Sequence, residues 1–140
     1  MGGEMGAWSH ESFGNDDACD FAATVSEADD LSAVDAILDV VMQVGSGYLE
    51  APEASQAIAA AEVIARLQGN WGLRDAYSAD MDAWVERTKI VPTKELALKA
   101  KRAVKRIVTE PSELLELWQE GGESEKWMDA VRDLERRLIA

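Results

Sequence analysis

The chain has 140 residues with 27 Asp and Glu, 14 Lys and Arg and one His, a formal net charge of −13, and an apolar fraction of 47% with five Trp. That length and composition fit one packed globular domain, burying roughly two thirds of its unfolded surface, and argue against a disordered or fibrous chain. They also exclude a membrane span: the most apolar stretch, 37–44, carries Asp39 and Gln43 and falls far short of the roughly 18 apolar residues required.

The start of the chain has neither the basic residues and apolar block of a secretory signal nor a myristoylation pattern, so a cytoplasmic protein is expected. A single cysteine, Cys19, cannot form an internal disulfide, and its apolar setting reads as a core thiol. The charge distribution says more than its total. The first 65 residues contain 13 Asp or Glu and no Lys or Arg, whereas the remainder balances 14 acidic against 14 basic side chains. Such a surface repels phosphate backbones, which excludes nucleic acid as the expected partner. It steers a basic protein partner instead.

The elements follow in chain order, and only helices are predicted. Residues 1–14 are expected to form an irregular N-terminal segment packed on the bundle. Asn15-Asp16-Asp17 supplies a capping side chain and two carboxylates to a first helix over 15–28, with Ala18, Phe21, Ala22 and Val25 inward. Leu31, Val34, Ile37, Leu38, Val41 and Val44 repeat at three and four, predicting an amphipathic second helix that stops at Gly45. Pro52 opens a third, Ala-rich helix running to about Gln68, with Ala57, Ile58, Ala61, Ile64, Ala65 and Leu67 as a smooth packing surface.

A fourth helix is expected over 75–87 with Met81, Trp84 and Val85 inward, and a fifth from Pro92-Thr93 to before Pro111, with Leu96, Ala97, Ala100, Ala103, Val104 and Ile107 on one face. Pro111 starts a short sixth helix carrying Leu114, Leu115, Leu117 and Trp118, stopped by Gly121-Gly122. Ser124 caps the last, in which Trp127, Val131, Leu134 and Leu138 repeat. The fold class is all-α: one compact bundle of about six or seven short helices over residues 1–140, without a sheet or an internal repeat.

Chemistry is sparse. His10 is the only His, and beside Glu11 and Asp16, Asp17 and Asp20 it is the one candidate for a titrating group. There is no Cys-His pairing, His-Glu-x-x-His motif or calcium-loop spacing, so neither a metal nor another cofactor is expected. The glycine pairs lack the Lys-Ser/Thr of a phosphate loop. Glu62 interrupts the Ala-rich helix with Arg66 one turn later, an i,i+4 ion pair worth a few tenths of a kcal/mol, although a buried Glu62 would demand a stronger partner. The eight Lys and Arg between Arg87 and Arg106 are expected to neutralise the acidic half within the molecule or between copies.

Met5-Gly6-Ala7-Trp8, Phe13-Gly14-Asn15-Asp16-Asp17-Ala18 and Asp20-Phe21 resemble the opening of a bacterial family known as domain of unknown function 4259. Tyr48-Leu49-Glu50 leading to Ala59-Ala60-Ala61-Glu62, and Ser112-Glu113-Leu114 leading to Leu117-Trp118, with Trp127 and Leu134, extend the resemblance over nearly the whole chain. Ser9 stands where the family tends to have Gly. The resemblance implies a small bacterial cytosolic domain and transfers no catalytic residue.

Three functional expectations result. The first is a non-enzymatic, acidic protein-interaction domain, an immunity or antitoxin-like inhibitor of a basic protein, binding through Trp8, His10, Asp16, Asp17 and Asp20. The second is an enzyme using His10, Glu11 and the nearby carboxylates. The third is a regulatory or scaffolding homodimer through Trp118 and Trp127, against a monomer in the first.

Overall fold

The computed structural model describes residues 12, 15–76 and 78–139. Within them seven helices form one bundle: α1 (Asp16–Ser26), α2 (Ser32–Val44), α3 (Ala51–Leu67), α4 (Ala79–Thr88), α5 (Lys94–Ile107), α6 (Glu113–Glu120) and α7 (Ser124–Arg137). No strand occurs among the described residues. The nearest thing to one is an isolated parallel bridge between Leu49 and Ser112.

The bundle is organised around α3, which packs against all six other helices. Its sequence explains why. Ala51, Ala54, Ala57, Ala59, Ala60, Ala61 and Ala65 keep the helix thin on every side, so neighbours approach closely all round. The expected single packing surface is therefore too narrow a description: nearly the whole of α3 is buried, Glu62 and Arg66 included.

The caps follow local chemistry. Asn15 Oδ1 accepts the Ala18 N–H at 2.9 Å and starts α1, whose buried residues are Ala18, Phe21, Ala22 and Val25. Thr93 Oγ1 accepts the Leu96 N–H at 3.1 Å and starts α5. Gly45, at φ +58°, ends α2 in a conformation that side chains rarely adopt. Three boundaries differ from expectation. Asp75 and Ser78 exchange hydrogen bonds just before the helix, and α4 begins only at Ala79. Ser112, rather than Pro111, caps α6. Ser124 lies inside α7 and makes no capping bond, the cap position being Glu123.

Two polar devices fix the ends of helices relative to one another. Trp84 Nε1 donates to the Ala28 carbonyl at 2.7 Å, pinning α4 to the end of α1. Arg106 donates to the carbonyls of Gly45 (2.8 Å), Gly47 (2.5 Å), Thr109 (2.7 Å) and Pro111 (2.9 Å), gathering two loops onto one side chain. No described helix is long and apolar enough to cross a membrane.

Candidate functional site

The acidic half of the chain divides into carboxylates that the later helices neutralise and carboxylates that they leave open. Arg87 of α4 pairs with Asp29 at 3.1 Å, and Lys99 of α5 sits 2.6 Å from both Asp35 and Asp39 on α2. Those two carboxylates raise the Lys99 pKa, chiefly through its hydrogen bonds to Asp35 and Asp39. The expected internal neutralisation thus operates at Asp29, just before α2, and along α2, through Arg87 and Lys99, two of the eight cations between Arg87 and Arg106. Arg106 is spent on carbonyls, and Lys105 faces Glu135 of α7 at 3.6 Å.

The open carboxylates lie on α1. Asp16, Asp20 and Glu27 follow one another at four and seven residues on the exposed stripe opposite Ala18, Phe21, Ala22 and Val25, and half-buried Asp17 lies at its edge. No described Lys or Arg pairs with any of the four. Asp16 and Asp17 stand in the first turn, where the helix dipole favours negative charge. Glu27, at the C-terminal cap, does not, and no basic residue in the last turn compensates it. Helix stability alone therefore does not account for the stripe. Half-buried Cys19 sits beside it, and burial together with Asp16, Asp20 and Asp75 pushes its pKa up, which keeps it a thiol and a poor nucleophile. Trp8, His10 and Glu11, which complete the expected binding or catalytic set, lie outside the described residues.

A second constellation is buried beneath this surface. Glu62, 2% exposed at the middle of α3, accepts from Arg66 Nε at 2.9 Å and from both terminal nitrogens of Arg137, at 2.6 Å to Oε2 and 2.9 Å to Oε1. Ser12 Oγ adds a fourth bond, 2.8 Å to Oε1. Burial pushes the Glu62 pKa up, but the bonds and charge of Arg137, the charge of Arg66 and the Ser12 bond outweigh it and hold the carboxyl below its ordinary value.

The network extends outward on both sides. Arg66 donates to Asp82 of α4 and to the Leu73 carbonyl at 2.6 Å, and Asp82 accepts from Ser78 Oγ at 2.8 Å. Arg74 stacks 4.2 Å over Trp71. On α7, Arg137 Nε donates to Asp133 at 2.8 Å, while Asn70 Nδ2 donates to the Arg137 carbonyl at 2.9 Å. The Arg137 pKa is lowered by burial and raised more by Glu62 and Asp133. Every charge at the centre is thus paired and hydrogen-bonded, the condition under which ions persist in an interior. Among the described residues no His, Cys, Asp or Glu group is arranged to hold a metal ion.

The sequence model of a family described as a domain of unknown function matches residues 6–130. The chain belongs to the domain of unknown function 4259 family. Neither a curated protein nor a solved structure matches it. In this member of the 4259 family the match takes in α1 through α6 and the first half of α7, and stops short of Arg137.

The aromatic pair expected at a dimer seam packs within the 4259-family fold. Trp118 stacks on Trp127 with centroids 6.1 Å apart and planes 8° from parallel, and Trp127 is buried. Periodicity and spacing gave no indication of Arg137, Asp82 or Ser12. The one available signal was a charged residue adjoining an apolar stripe, Asp82 beside Met81 and Arg137 beside Leu138.

Proposed function

We propose that this domain is a non-enzymatic acidic interaction module that binds a basic protein, in the manner of an immunity or antitoxin-like inhibitor acting in a bacterial cytoplasm. The single observation that carries the proposal is the α1 stripe: Asp16, Asp20 and Glu27, with Asp17 beside them, stay exposed or half-exposed and unpaired with any described cation, although Arg87 reaches Asp29 and Lys99 reaches Asp35 and Asp39 on α2. Leaving several like charges together opposes folding by mutual repulsion, and a cationic partner relieves it on contact. The Glu62 network serves as scaffold in this proposal. Its central charges, Glu62 and Arg66, are buried and mutually satisfied.

Capture from a native lysate at low and at high salt tests the proposal, using the wild-type chain and a variant with Asp16→Asn, Asp17→Asn and Asp20→Asn. The proposal requires a basic protein held at low salt, released at high salt and held poorly by the variant. A partner retained equally by both chains, irrespective of salt, would rule out the stripe.

A further inference from the structure

Both ends of the described chain converge on one carboxylate. Ser12 Oγ and Arg137 Nη2 share Glu62 Oε1 at 2.8 and 2.9 Å, while Arg137 Nη1 and Arg66 Nε share Oε2 at 2.6 and 2.9 Å. A carboxylate with four donors has little freedom to move for one without disturbing the others. Ser12 precedes the α1 cap residue Asn15 by three positions, and Arg137 is the last residue of α7.

Around this point the fixing of α7 is unusually complete. Arg137 also holds Asp133 and the Asn70 carbonyl, and Gln68 exchanges two hydrogen bonds with the Ile139 backbone, at 2.6 and 3.0 Å. Gly72 lies against the guanidinium so closely that an added Cβ would fall 2.8 Å from Nη2.

We propose that Glu62 couples Ser12 to the end of α7, so that the seating of Arg137 sets how firmly the start of α1 is held. The coupling is independent of whether the α1 stripe binds a cation. Its consequence is reciprocal: an event that tightens or loosens one end is felt at the other through the shared acceptor.

Amide exchange and a double-mutant cycle on the full chain test this. Arg137→Lys keeps the positive charge but loses the two-pronged fit to Glu62. It is expected to speed exchange at Ala18 and Cys19, whose N–H groups are held by Asn15, about ten- to a hundredfold, the factor a hydrogen bond to a charged group is worth. Exchange in α2 and α5 should be unchanged. Ser12→Ala should speed the same two amides and, by the same coupling, those of the last turn of α7. The double variant should then exceed neither single variant by much at Ala18, because the second change removes a bond already loosened. Additive effects at Ala18, or acceleration spread evenly over all helices, would overturn the coupling. If Arg137→Lys fails to fold, Asp133→Asn, which loosens Arg137 without removing a donor from Glu62, takes its place in the cycle with the same two outcomes.

Discussion

Glu62 and Arg137 stand 75 positions apart and meet in a two-pronged ion pair at 2.6 and 2.9 Å, with Glu62 2% exposed. The pair closes the bundle, since it fastens the last turn of the C-terminal helix to the middle of the central one. An i,i+4 partner alone would leave a buried carboxylate under-compensated, and the distal arginine supplies the remainder.

Removing one partner of such a pair strands the other's charge in the interior. Glu62→Ala is therefore expected to destabilise the fold by about 3–5 kcal/mol. A denaturant midpoint that moves by less than about 0.5 kcal/mol equivalent would show that Arg66 and Arg137 find water instead.

Gly72 gives a second probe of the same pair. Gly72→Ala drives a methyl into the Arg137 guanidinium, which Glu62 and Asp133 prevent from swinging away. The expected loss is about 1–3 kcal/mol, the usual range for overpacking. Combining it with Arg137→Ala should abolish most of that loss, a non-additivity readable from urea denaturation.

The pH dependence has a definite sign. The folded Glu62 carboxyl lies below its ordinary value of 4.5, so its contribution is fully present above that value and is lost as pH falls through the lowered folded value. The stability gap between wild type and Glu62→Gln should accordingly be constant from pH 7 to about 5 and narrow below that range. Lys99 behaves oppositely, its contribution persisting below 10.5 and fading at higher pH, but solvent screens it.

Capping separates two residues that look alike in sequence. Asn15→Ala removes a real cap and should cost about 1 kcal/mol, whereas Ser124→Ala removes none and should stay within about 0.5 kcal/mol of wild type.

Most of the fold could be read from local chemistry. Asn15, Gly45 and Thr93 mark helix ends by their own conformational preferences, and the inner face of α1 is visible as a simple period. What escaped was of two kinds. Boundaries slipped where a side chain bonded to its own loop, as Asp75 and Ser78 do, and where a Ser stood one residue past the cap, as at Ser124. Glu62 was recognisable as anomalous in an Ala-rich helix. Its partner Arg66, one turn on, was legible, but its second partner Arg137 was not, because a contact across 75 residues is set by the packing of α3 against α7 and leaves no spacing in the sequence.

The open carboxylates of α1 are tested most directly by titrating the labelled protein with a lysine-rich peptide and following backbone amide shifts at several salt concentrations, in wild type and in Asp20→Lys/Glu27→Lys. These two changes avoid the first turn of α1, and Glu27→Lys suits the helix dipole, worth about 0.3–1 kcal/mol of added stability, so loss of binding cannot be ascribed to unfolding. Shifts concentrated in 16–27, weakening steeply as salt rises and absent from the variant, are the predicted result. Shifts centred on α2 and α5, or an affinity unchanged in the variant, would contradict it.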